Sequence, residues 1–121
     1  MATSLKIAPP NSLVLVSDTR NAEIPVTMFD SRFAATDSCV AVGCLADVDG
    51  DTTFTLGLTS EVDPGTSPSF VRTIQTPNRL VSISTILGNS ILETKVTKTH
   101  TTLKIWVNDD TEPDQVIVGF D

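Results

Sequence analysis

The sequence has no tyrosine, one tryptophan (Trp106), one histidine (His100) and two cysteines, and aromatics make up 5% of its 121 residues. So small a stock of imidazole, thiol and phenol leaves few parts for acid–base or nucleophilic catalysis. There is no Cys-x-x-Cys pair, no histidine cluster and no glycine-rich phosphate loop. No enzyme is expected. Basic residues are also scarce, 8 Lys+Arg against 15 Asp+Glu, for a formal charge of −7. Binding to a phosphate backbone needs a dominant basic field, which excludes nucleic acid as the main partner. No apolar run approaches the roughly 18–20 residues of a membrane-spanning helix. The start lacks a basic segment followed by an apolar one. The expectations are no membrane association and a cytoplasmic location. Cys39 and Cys44 are five positions apart in one expected strand, which separates them by roughly 16 Å. A disulfide needs Cα atoms within about 7 Å, and odd spacing turns the two thiols to opposite faces. Free thiols suit a reducing compartment.

What the chain does contain is strand chemistry. It is 40% hydrophobic and 19% charged, too apolar for a disordered acidic tail, and rich in Val and Thr, which favour a pleated surface. Alternation places Phe54, Leu56 and Leu58 on one face of 52–59. It does the same for Leu92, Thr94 and Val96 in 91–98, and for Leu103, Ile105 and Val107 in 102–107, with Lys104 and Trp106 outward. Further strands are expected at 12–17, 24–28, 38–46, 70–76, 80–87 and 115–120, separated by Asp49-Gly50, Asp63-Pro64-Gly65, Pro77-Asn78, Gly88-Asn89 and Glu112-Pro113-Asp114. The pattern predicts one all-β domain over 13–121, an antiparallel β-sandwich or flattened barrel of about eight or nine short strands. Residues 1–12 read as an N-terminal arm or edge strand. At most one short helix is expected, at 31–36 with Asp30 as its cap. The segment 39–46 is apolar on both faces, as a covered central strand or an interface strand would be.

Two acidic loops are the candidate sites. Asp47, Asp49 and Asp51 alternate around a glycine, an arrangement that can converge on Ca²⁺ or simply form a hairpin turn with solvated carboxylates. Asp109, Asp110, Glu112 and Asp114 form the second loop. No other cofactor is suggested. Charge is uneven along the chain: residues 66–107 hold five basic groups and one acid (+4), and the rest hold three against fourteen (−11). An acidic loop surface can steer a basic partner, or it can serve solubility alone. Trp106 is either an exposed anchor or sugar-stacking platform, or a cover over neighbouring strands. His100 is expected at the solvated tip of a hairpin between 91–98 and 102–107.

The segment Phe29-Asp-Ser-Arg-Phe-Ala-Ala-Thr-Asp37, the strand 38–46, Thr53-Phe-Thr-Leu-Gly-Leu58, Arg79-Leu-Val-Ser-Ile-Ser-Thr-Ile86 and Thr102-Leu-Lys-Ile-Trp-Val107 follow one another in a notable order. Over roughly residues 28–120, that order resembles the competence protein J family, small acidic inhibitors of a nuclease. The resemblance lies in pattern and spacing. It implies non-enzymatic inhibition, with carboxylates occupying a basic groove made for nucleic-acid phosphates, and carries over no individual binding residue. The residues themselves predict the same kind of object: an acidic interaction module, of inhibitor or immunity type, that meets a basic protein through Asp47, Asp49, Asp51, Asp109, Asp110, Glu112 and Asp114, with Trp106. Two alternatives remain at this stage. One is a Ca²⁺- or carbohydrate-binding β module. The other is a structural subunit of a homo-oligomeric or phage assembly, joined through 39–46.

Overall fold

A computed structural model describes residues 2–18, 23–25 and 32–121. Among these residues ten strands form two five-stranded sheets packed face to face. The first sheet has the order β1 (Thr3–Ile7), β5 (Thr52–Leu58), β10 (Gln115–Phe120), β9 (His100–Val107), β6 (Phe70–Gln75). The second runs β3 (Phe33–Ala35), β4 (Cys39–Gly43), β2 (Leu13–Ser17), β7 (Leu80–Thr85), β8 (Ser90–Lys95). The all-β sandwich is therefore the fold. All described pairings are antiparallel except one: β10 lies parallel to β5, with Gln115 opposite Thr53 and Phe120 opposite Leu58.

Alternation builds the core. Phe54 and Leu56, Leu103 and Ile105, and Val116 and Val118 point from the first sheet onto Val14, Val16, Val40, Val42, Val81 and Ile83 of the second. All are buried. At about 25 cal/mol per Å² of apolar surface removed from water, this layer is the main stabilising term. Stacked rings of Phe33 and Phe70, 4.9 Å apart, link the sheets where β3 and β6 form their edges. Every residue of β4 is buried. Its outward side chains, Cys39 and Ala41, join Leu15 in a smaller cluster covered within the chain, as a covered central strand requires. Both thiols are free, Cys44 in the main core and Cys39 in the outer cluster.

Four expectations are corrected. Residues 33–35 form β3, an edge strand bonded to β4, and not a helix; Asp30 and Ser31 fall outside the described residues. Three residues are too few to declare a helical period, and β4 supplies the pairing that decides. The short helix is instead α1 (Thr59–Val62). It packs where Gly57 and Gly119 sit side by side on β5 and β10. A Cβ on Gly119 would come within 2.9 Å of Thr59 Oγ1 and 3.2 Å of the Trp106 ring, so the bare backbone makes room for both. Next, β8 and β9 are not a hairpin: residues 96–99 cross from one sheet to the other, and His100 opens β9 opposite Gln75. Asp49-Gly50 likewise lies in a crossing between sheets and not in a hairpin turn. Finally, of the strand expected at 24–28, residues 24 and 25 are not in a strand and 26–28 fall outside the described residues. Among the described residues no helix is long and apolar enough to cross a membrane.

Candidate functional site

Because β5 and β10 run parallel, the loops that precede them emerge at the same end of the sandwich. The backbone ties them together: Leu45 N–H donates to the Pro113 carbonyl and Thr53 N–H to the Asp114 carbonyl, both at 2.8 Å. Asp47, Asp49 and Asp51 therefore share one end with Asp109, Asp110, Glu112 and Asp114, and all seven side chains are exposed. Two cations stand near them. Arg32 donates from Nη1 to the Thr111 carbonyl at 2.8 Å, and Lys6 lies opposite Thr53 on β1.

The two loops are built differently. Residues 47–49 form one 3-10 turn, closed by Asp49 N–H on the Ala46 carbonyl at 2.9 Å, and Gly50 takes a φ of 139° that disfavours other residues. Among the described residues the carboxylates of Asp47, Asp49 and Asp51 make no hydrogen bond or ion pair. Val48, between the first two, is 88% exposed. The 108–114 loop is knitted by its own side chains. Asn108 Oδ1 accepts from the N–H groups of Asp114 and Gln115 at 3.1 Å each, and its Nδ2 donates to Asp114 Oδ1 at 2.6 Å. Asp109 Oδ1 accepts from Thr111 N–H, the Thr111 hydroxyl and Glu112 N–H at 2.8, 2.9 and 3.1 Å. Donation from the Thr111 backbone, then from Glu112, holds the Asp109 carboxyl below the usual aspartate range. The carboxylates of Asp110 and Glu112 are left without partners among the described residues. No group of three or more His, Cys, Asp or Glu side chains among the described residues is arranged to hold a metal ion.

Trp106 is not the exposed platform that one reading expected. It points away from the core, as alternation requires, yet it is only 5% exposed. Residues 63–69 pass over it as a strap, and its Nε1–H donates to the Thr66 carbonyl at 2.9 Å. Sequence reasoning missed two residues of the acidic end. Val48 is an apolar tip inside an acidic turn, and that isolation was its only signal. Arg32 crosses Gly43, where a Cβ would sit 3.2 Å from its guanidinium, so the glycine in an otherwise apolar strand was the available clue.

A groove of about 700 Å³ on the outer face of the second sheet is lined by Leu15, Cys39, Ser82, Ser84 and Glu93 among others. Burial pushes the Cys39 thiol up to about 11, the opposite of what activates a cysteine nucleophile.

Neither the family models nor the curated proteins give a match to the sequence. Among solved structures, the chain is similar to ComJ from Bacillus subtilis, the inhibitor of the DNA-degrading activity of NucA. The TM-score is 0.67 at 15% identity, covering 98% of this chain and 93% of that one. The likeness thus runs through nearly the whole of both chains, and it is a likeness of fold: that of the competence protein J family, which the order of elements in the sequence resembles.

Proposed function

We propose that the chain is a non-enzymatic inhibitor-type module that docks a basic protein, a nuclease foremost, through its acidic end. The observation that carries the reading is the pair of backbone bonds joining the two loops, Leu45 to Pro113 and Thr53 to Asp114, because they make one surface of seven carboxylates. The fold shared with ComJ, whose own partner is a DNA-degrading enzyme, supports the same reading. Physically, carboxylates on a rigid β scaffold speed encounter with a basic groove and occupy positions that phosphates would take. Val48 adds an apolar contact at the centre of a charged rim, the usual anatomy of an interface. The interaction uses no cofactor or metal.

The test is capture by tagged protein from the native host at low salt, elution with a salt step, and assay of the captured protein on DNA. Recovery of a basic nuclease whose DNA degradation stops when the chain is added back supports the proposal. A captured partner whose activity and association rate ignore Asp49→Lys and Asp110→Lys would falsify the steering role of this end.

A further inference from the structure

The outer face of the first sheet holds a cavity of about 240 Å³ under the strap of residues 63–69. Its lining includes Trp106 and Ile117, which are direct cross-strand neighbours, together with Thr66, Asn108 and Gln115. Sites for drug-sized ligands run to about 300–1,000 Å³ and a water takes about 30 Å³, so this space suits a single long side chain. An apolar floor with polar walls matches a side chain that has an apolar stem and a polar head. The charge of the surroundings selects the head. Asn108 and Gln115 bracket the acidic loop, and Asn108 is bonded directly to Asp114. Lys104, the cation two residues along the same strand face, is already paired with Asp121 at 3.3 Å. An indole and nearby carboxylates both favour a cation, and a guanidinium, planar and weakly hydrated, suits such a place better than an ammonium.

We infer that this cavity is the seat for one arginine side chain of the basic protein partner. Its stem lies against Trp106 and Ile117 and its guanidinium turns toward the carboxylates of residues 109–114. The inference rests on the acidic-end reading and adds the residue by which the partner is anchored. Trp106 is then a specificity element beneath a strap, while the loops supply steering.

One tryptophan and no tyrosine make the intrinsic emission a reporter of this cavity alone. The probe is a peptide of alternating glycine and arginine, titrated at low salt. Anisotropy of a labelled copy follows association, and Trp106 emission with an unlabelled copy follows the cavity. The two are expected to saturate at one midpoint, with the lysine peptide weaker and the citrulline peptide silent. Ile117→Phe, which fills the space, and Gln115→Lys, which plants a cation at its rim, are each expected to weaken binding about fivefold and to abolish the emission change. Thr97→Lys makes the same charge change on exposed chain elsewhere and is expected to weaken binding less than about twofold. Should Ile117→Phe fail to fold, Gln115→Lys against Thr97→Lys still decides. Association that saturates with emission unmoved, or equal effects of those two lysines, overturns the arginine seat and leaves the acidic end standing. No association at low salt overturns both.

Discussion

The two ends of the sandwich differ in charge and in scaffolding. At one end are the seven carboxylates of residues 47–51 and 108–114. At the other, register brings Lys95 opposite Leu80 and His100 opposite Gln75, while Val96 N–H donates to the Arg79 carbonyl at 2.9 Å, with Lys98 in the same crossing. Acids stand at this end too, Asp18 bonded to Asn78 and Asp37 paired with Arg72 at 3.2 Å, so cations and carboxylates are mixed here while the first end gathers a run of seven carboxylates. The scaffolding differs as well. The side-chain hydrogen bonds within the 108–114 loop are exposed, whereas the far end is held by buried and half-buried polar groups. Thr76 Oγ1 donates to the Lys98 carbonyl at 2.7 Å and lies 2.8 Å from Thr101 Oγ1. Asp18, 3% exposed, accepts from Asn78 N–H and Nδ2 at 2.8 Å each and from Leu80 N–H at 3.4 Å. On the proposed function one end serves stability and the other encounter, so substitutions at the two should separate cleanly.

The largest effect is expected at the far end. Asp18→Ala leaves those donors facing a void and should cost about 3 kcal/mol, read as a lowered urea midpoint. Asp18→Asn keeps an acceptor and should cost about half as much. Neither should change affinity for a basic partner while the protein is folded. A weakened affinity at unchanged fold would break the division of labour between the ends.

Charge reversal sharpens the same contrast. Asp49→Lys with Asp110→Lys should slow association about tenfold at low salt and less than about twofold at 0.5 M, measured by stopped flow. Stability should move by no more than about 0.5 kcal/mol, because all the groups are exposed. Lys95→Glu with Lys98→Glu, at the far end, should leave the rate unchanged or slightly raised. Equal slowing from both pairs would mean that net charge matters and its placement does not.

The thiols report the ends individually. Cys39 lies opposite Ser17 near the far end, and Cys44 donates its N–H to the Ser12 carbonyl near the acidic one. Burial raises both thiols to about 11. Labelling at pH 8 should be at least about a hundredfold slower than in urea. Cys39, in the smaller outer cluster, should react before Cys44, which is released only when the main core opens. Mass spectrometry of the labelled peptides distinguishes them, and the reverse order would mean that the acidic end opens first.

How much of this was legible in the sequence depends on what each feature rests on. Period-two alternation declares a buried face, so Phe54 and Leu56 or Leu103 and Ile105 could be placed without coordinates. Pairing is not written locally. The stretch 91–107 has the look of a hairpin, yet residues 96–99 lead to the other sheet, with half-buried Leu92 of β8 and buried Leu103 and Ile105 of β9 meeting the same core from opposite sides. The meeting of the acidic loops depends on β5 and β10 lying side by side and parallel, a contact between residues some sixty positions apart. Alternation gave the correct face for Trp106. Its cover was hidden, because Pro64, Gly65 and Pro68 announce a loop without saying where it lies.

The smallest effect belongs to Asp109, where the acidic end has some scaffolding of its own. Three donors hold its carboxyl below the usual aspartate value, which is about 3.9 in an unfolded chain. A depressed folded-state pKa means that the contribution to stability is fully present above the unfolded value and is lost as pH falls through the folded one. Carbon NMR should therefore show Asp109 titrating below the ordinary aspartate range. Asp109→Ala should remove a small part of the stability lost between about pH 4 and the folded-state value, leaving a shallower acid limb. Thr111→Val deletes the hydroxyl donor and keeps the backbone one, so it should move the titration part of the way back. If Asp109 titrates at its ordinary value, the loop is not held by this carboxylate, and Asn108 with the Arg32–Thr111 contact must alone account for its shape.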